Sequence, residues 1–391
     1  MKKNIVFVIP TLRMGGAEKS LVSLLKSLDP DRINVDLFLF EAGGVLQQEI
    51  PQWVNIIEAD PVTRGMTLEI RNYICGVVKC GDLMAASARI KISLQSRTGK
   101  KNQFSWGKIK KYIPTMLKNY DVAIGYLEGF ADFFVLDKVY AKKKIGWIHI
   151  DYSGRVLLPE EIEYYNQFDN LVTISEICKK AFIKLVPEVE NKMQVLENIV
   201  LFDEVKEKAK KSVIEKWNHS KLTHIVSVGR LEYQKGMDIA ARASKVLADR
   251  KVFFCWHVYG MGIMQEEIEQ YVKGYNLEDT FILEGLRENP YPYMKQADII
   301  VQPSRWEGKS IVLDEAKILG KAIVVTNYPS VTDQIKDRVT GLITEMDPEA
   351  IADSVEEILN NSELKEQLER NALNEENSSY KVIEQFYHLL E

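Results

Sequence analysis

The sequence predicts an α/β fold built as two similar halves, each a parallel sheet with helices on its faces. Three observations predict it. Short β-branched runs alternate with helical runs, as crossover-connected parallel strands require. The alternation breaks at a charged helical stretch, Glu204 to Lys216, and restarts after it. A chain of 391 residues with 46% hydrophobic content is long enough for two cores.

The elements follow in order. Ile5–Ile9 is the first strand; two lysines precede it, but five apolar residues before Pro10 are too few for the centre of a secretion signal. Ala17–Leu28 places Leu21, Leu24, Leu25 and Leu28 on one helical stripe. The first half continues with strands at Val35–Phe40, Val54–Ile57, Val122–Tyr126, Lys144–His149 and Leu171–Ile174. Ser175 is placed to cap the next helix. The second half has strands at Thr223–Val228, Phe253–Tyr259, Thr280–Glu284, Ile299–Val301, Ala322–Thr326 and Gly341–Thr344. Tyr259-Gly260-Met261-Gly262 is a flexible turn of the kind found at the ligand edge of such sheets. The expected domains are 1–198 and 199–375, followed by an amphipathic helix within 376–391.

Composition narrows the function classes. A net charge of -5 and the lack of any nucleic-acid module argue against nucleic-acid binding. No apolar run approaches the ~20 residues of a membrane span. Cys75, Cys80, Cys178 and Cys255 have no metal or redox spacing and fit reduced thiols in a cytosolic protein. Leu83 to Tyr120 holds nine basic residues and no acidic one, interleaved with apolar residues. Such a stretch suits an anionic membrane surface at about 1 kcal/mol per nearby Lys or Arg, or a solvated helical face.

The chemistry-bearing residues concentrate in two loops of the second half. Pro303-Ser304-Arg305-Trp306-Glu307-Gly308-Lys309-Ser310-Ile311 joins a strand to a helix, and Glu315 lies eight positions after Glu307. The unpaired amides of a helix starting near Ser310 favour an anion, and nearby carboxylates accept sugar hydroxyls. Gly229-Arg230 and Lys235 follow the strand Thr223–Val228 and supply two cations for a diphosphate leaving group. In the first half, Gly15-Gly16 lets backbone approach a ligand closely at a helix start. It lacks the Gly-x-Gly-x-x-Gly pattern, which leaves a dehydrogenase poorly supported. His149 ends a strand, with Asp151 two residues on.

Taken together, Glu307-Gly308 and Glu315-Ala316, with seven residues between the two glutamates, and Arg230 with Lys235 resemble the signature of retaining GT-B glycosyltransferases of family 4. The resemblance implies two Rossmann-like domains facing a central cleft, with the 376–391 helix packed on the first. It implies that Arg230 and Lys235 hold the donor diphosphate and that His149 points at the donor sugar. Glu307 would hold a sugar hydroxyl and Glu315 the ribose. Gly308, Lys309, Ser310 and Ile311 would present amides to phosphate or sugar. Gly15, Gly16 and Gly229 would line the donor, and the Leu283-Glu284-Gly285-Leu286 backbone, Leu286 included, would hold the base. The Lys309-Ser310 pair departs from the family's usual bulky apolar residue followed by proline or glycine. The expected reaction is retaining transfer from a nucleotide diphosphate-sugar, UDP-linked by preference, to a glycan or lipid-linked acceptor in bacterial surface polysaccharide synthesis. No metal or cofactor is expected, and the expected place is the cytoplasm or the inner membrane face. A sugar-nucleotide epimerase, a phosphorylase and a non-catalytic nucleotide-sugar-binding subunit are the alternatives.

Overall fold

The computed structural model describes residues 2–67, 106–211, 217, 222–375 and 379–391. The chain divides into two compact units, Met1–Ile199 with Tyr380–Glu391, and Val200–Ser379.

Among the described residues, the first unit holds β1 (Lys3–Ile9), β2 (Ile33–Leu39), β3 (Asn55–Glu58), β4 (Met116–Gly125), β5 (Val139–Ile148), β6 (Asn170–Thr173) and β7 (Met193–Val195). They pair in parallel in the order β3-β2-β1-β4-β5-β6-β7. The second unit holds β8 (Thr223–Val228), β9 (Phe254–Tyr259), β10 (Phe281–Gly285), β11 (Ile299–Gln302), β12 (Ala322–Thr326) and β13 (Leu342–Thr344). These run parallel in the order β10-β9-β8-β11-β12-β13.

Both sheets reverse direction next to their first strand, between β1 and β4 and between β8 and β11. Loops leaving adjacent strands at such a reversal diverge to opposite faces and open a crevice at the strands' C-terminal ends. The strand interiors are near-continuous apolar runs because helices cover both faces. Val6, Val8, Ala123 and Ile148 are fully or almost fully buried in one core, and Ile225, Trp256, Val258 and Val324 in another. Each such side chain contributes about 1.5–3 kcal/mol relative to exposure. Trp256 donates its indole N–H to Ser227 Oγ (3.0 Å), which donates in turn to the Val301 carbonyl (2.7 Å). A buried polar pair is satisfied in this way without loosening the core.

The helix Ser379–Leu389 belongs to the first unit. Phe386 stacks on Phe7 at 6.0 Å, and Lys3 Nζ donates to the Leu390 carbonyl at 2.6 Å. Of the basic stretch, residues 83–105 lie outside the described residues. In its remainder Trp106, Ile109, Ile113 and Tyr120 are buried in the core, and Leu117 alone of its large apolar residues is widely exposed, at 89%. Lys110 pairs with Asp137 (3.2 Å) and Lys118 with Asp36 (2.7 Å). That part of the stretch is therefore committed to intramolecular packing.

Candidate active site

The β8 and β11 loops emerge on the two sides of the second sheet's reversal, and they carry the residues singled out in the sequence. After β8, Gly229 leads to the 3-10 turn Tyr233–Lys235 and then the helix Met237–Asp249. Gly229 packs against the Lys235 stem, whose Cδ would lie 3.5 Å from an added Cβ, an ordinary contact distance. Gly236 sits at φ +64, where a Cβ would lie 1.9 Å from the Pro303 carbonyl oxygen. Only glycine permits both that dihedral and that approach of the two loops.

Lys235 Nζ donates to Glu307 Oε1 at 2.6 Å. The same oxygen accepts from Ser304 Oγ (2.6 Å) and Gln302 Nε2 (3.2 Å), and Oε2 accepts weakly from Gln234 Nε2 (3.4 Å). Glu307 is a buried carboxylate, and a buried carboxylate is costly unless paired and hydrogen-bonded. Here it is both. Ser330 Oγ donates to the Glu307 carbonyl (2.7 Å), which fixes the backbone beneath the side chain.

The helix Ile311–Ile318 begins at Ser310, whose hydroxyl gives no capping bond and is buried without a partner. Gln334 takes over the end of the loop. Its Oε1 accepts the Ser310 amide (2.7 Å) and its Nε2 donates to the Ser310 carbonyl (2.8 Å). Gly308 is buried and Ile311 lies in the first helical turn. Lys309 folds inward, with Nζ 3.8 Å from Asp314 Oδ2. Glu315 is buried and accepts from the Tyr291 hydroxyl at 2.8 Å. Arg230 stays half exposed and pairs with Glu232 at 3.0 Å, while Leu286 is 44% exposed after β10. Lys235 and Glu307 are thus brought into direct contact.

Several residues that stitch these loops carry no readable sequence signal. Arg305 forks onto Asp238 (2.8 and 2.7 Å), donates to the Tyr233 carbonyl (2.6 Å) and lies over the Tyr233 ring (3.8 Å). Gln334 and Ser330 come from the segment after β12. Their roles depend on tertiary placement.

The first unit holds a second cluster at its own reversal. Gly15 precedes the helix Gly16–Ser27, whose first turn has no side-chain cap. A Cβ on Gly15 would lie 2.2 Å from Glu18 Oε2. After β5, His149 is buried beside Tyr126 (4.8 Å) and Trp147 (6.1 Å), and neither ring nitrogen has a hydrogen-bond partner. Burial pushes its imidazole down to about 3, so the ring is neutral at pH 7. The His149 amide donates to Glu128 Oε2 (2.9 Å) and the Trp147 amide to Asp132 Oδ1 (3.3 Å). Burial raises both carboxyl groups, Asp132 far above its usual range with the Glu128 charge adding to it. The available signal for these two acids was their place inside an apolar run, Ile124 to Phe134. Asp151 is buried and accepts the Ser153 amide (2.8 Å).

Residues 209–375 match the family model described as Glycosyl transferases group 1. A transferase of Campylobacter jejuni that adds N-acetylgalactosamine to an undecaprenol-diphosphate-linked disaccharide is 30% identical over 160 residues, 40% of this chain and 41% of that protein. The amylovoran biosynthesis glycosyltransferase AmsK of Erwinia amylovora is 29% identical over 137 residues, 33% and 34% of the two chains. The matches therefore span less than half of either relative. Among solved structures, Anabaena HepE in complex with UDP and glucose superposes at TM-score 0.69 with 16% identity, covering 99% of both chains. S. aureus TarM, crystallised with UDP, superposes at 0.72 with 14% identity over the full length of both. The chain thus has the GT-B fold, and residues 209–375 of it are similar to glycosyl transferases group 1.

Proposed function

We propose that the protein is a retaining glycosyltransferase moving a sugar from a nucleotide diphosphate-sugar to a glycan or lipid-linked acceptor. The observation that carries this reading is the Lys235–Glu307 pair, set beside the amide-bearing start of the helix Ile311–Ile318. Lys235 is already desolvated and held, so it meets a diphosphate without reorganising, and preorganised charge stabilises a leaving group best. Arg230, half exposed, adds a planar fork of donors to the same diphosphate. Glu307 takes a sugar hydroxyl through its less heavily bonded oxygen, and Glu315 takes the ribose. Gly308, Lys309, Ser310 and Ile311 supply the loop and first-turn backbone, and the residues up to Leu286 hold the base. Gly15, Gly16 and Gly229 leave room for the donor, while His149 offers an uncommitted neutral ring to a sugar hydroxyl.

In the proposed step the bond from the anomeric carbon to the diphosphate oxygen breaks. The acceptor oxygen bonds to that carbon on the same face, and its proton passes to the departing phosphate oxygen. Nucleoside diphosphate leaves. Fixed cations neutralise its charge, so no divalent ion is required for turnover. A UDP-linked donor is favoured by the UDP complexes of HepE and TarM. A lipid-linked acceptor in surface polysaccharide synthesis is favoured by the C. jejuni and E. amylovora relatives. Such an acceptor also suits a cytoplasmic protein docked on the inner membrane face.

Incubation with UDP-, GDP- and ADP-sugars tests the reading, with free nucleotide as the signal. Release from one nucleotide class, unchanged when Mg2+ or Mn2+ is added to metal-stripped protein, is expected. Silence across the panel despite donor binding contradicts it, and a large divalent-ion stimulation contradicts the role given to the cations.

A further inference from the structure

His224, Cys255 and His257 share one face of the second sheet, because β8 and β9 pair in parallel with His224 opposite Cys255 and Val226 opposite His257. All three are buried, and their donor atoms lie within 4.8 Å of one another. His224 Nδ1 stands 3.1 Å from His257 Nε2. The other nitrogen of His257 lies 2.8 Å from Glu284 Oε1 on β10, and Glu284 Oε2 lies 3.5 Å from Arg287 Nη2. Trp217 covers the pair of rings, nearly parallel to each at 4.7 and 4.3 Å.

We propose that His224, Cys255 and His257 bind one Zn2+ ion, with Glu284 as the outer carboxylate that fixes the orientation of His257. Two imidazoles and a thiolate are a donor set that zinc prefers, and a fourth, exogenous ligand completes the tetrahedron. Zinc bonds of about 2.0–2.3 Å place such donors about 3.3–3.7 Å apart. The two ring nitrogens already stand near that spacing, so closing the set is a matter of side-chain rotation. A carboxylate on the remote nitrogen of a ligating histidine is the usual device for fixing its tautomer. Burial, with Glu284 and Asp279 adding to it, pushes the Cys255 thiol up to about 11. The metal-free protein therefore keeps it protonated, and a bound cation displaces that proton to solvent. The ion would tie β8, β9 and β10 together beside the segment Leu283 to Leu286. It takes no part in the sugar transfer proposed above.

The test is titration of the metal-stripped full chain with Co2+, followed by displacement with Zn2+. Thiolate-to-cobalt charge-transfer absorption should saturate at one ion per chain and vanish on addition of one equivalent of Zn2+. Cys255→Ser should lose that absorption while keeping its circular dichroism. Glu284→Gln should keep it but bind Zn2+ about 10- to 100-fold more weakly. Zn2+ should raise the Tm of the wild type and leave that of Cys255→Ser unmoved. Absence of the absorption in the wild type, or its persistence in Cys255→Ser, overturns the proposal and leaves His224, His257 and Glu284 as a hydrogen-bonded relay. Unchanged affinity in Glu284→Gln removes the outer role given to that residue.

Discussion

Around Glu307 the second unit gathers a lysine, a serine and two glutamine side chains onto one buried carboxylate. At Glu128, Asp132 and His149 the first unit gathers almost none. There the carboxyl groups are raised, the imidazole is lowered, and both ring nitrogens lack partners. Two buried polar clusters, each at the reversal of its own sheet, thus handle charge in opposite ways. The second surrounds its carboxylate with a lysine and hydrogen-bond donors, and the first suppresses charge by desolvation. On the proposed function, a charged partner goes with the paired cluster and neutral hydroxyls with the desolvated one.

Glu307→Gln would break the contrast most severely, since it leaves Lys235 without its carboxylate. Turnover should fall about 100-fold or more, and the Tm should fall as well because breaking a largely buried pair is destabilising. Retained turnover and Tm in that variant would mean that the pair is incidental. Arg230→Ala should cost about tenfold in turnover with little change in Tm, as its half-exposed guanidinium is solvent-screened. A drop in Tm comparable to that of Glu307→Gln would place Arg230 in the fold rather than at a ligand.

The desolvated cluster has a pH signature. Between an unfolded value near 6.5 and a folded value of about 3, the unfolded chain binds a proton at His149 that the folded chain does not. Stability from this group is therefore present above that window and is lost as pH falls through it. The loss is about 2 kcal/mol on going from pH 7 to pH 5. Glu128 and Asp132, with raised carboxyl groups, oppose it. Their folded forms hold protons longer, so their contribution is present at low pH and lost as pH rises. Denaturant unfolding of wild type and His149→Gln across that range isolates the histidine. Identical slopes would mean that the ring is charged or solvated in the fold. The smallest expected effect concerns the basic stretch. Flotation with anionic liposomes should weaken in a variant with Arg97, Lys100 and Lys101 changed to Glu, and unchanged flotation removes membrane docking from the account.

Much of this was legible in the sequence where local pattern and tertiary demand agree. Thr223–Val228 and Ala322–Thr326 are strands with the expected bounds, because β-branched residues, which suit a pleated and buried surface, dominate both. β4 and β5 start earlier than expected, at Met116 and Val139, because partly exposed stretches containing Lys118 and Asn119, and Lys142 and Lys143, precede their buried apolar runs. β7 escaped notice because it is only three residues long, too short for its alternation to stand out. At the site, Glu307, Glu315, Arg230 and Lys235 were readable as a spaced set of charges. Gln334, Ser330, Arg305 and Asp238 were not, since each acts on a segment distant in the chain. The zinc donors were hidden for the same reason: strand pairing, and no local spacing, brings His224, Cys255 and His257 together.

The most direct measurement is nucleotide release at saturating donor by wild type, Lys235→Ala and Lys235→Arg, with each Tm recorded alongside. A fall of about 100- to 1,000-fold in Lys235→Ala, partly restored in Lys235→Arg, is the result that a cation gripping the departing diphosphate predicts. Turnover in Lys235→Ala within about twofold of wild type would contradict it.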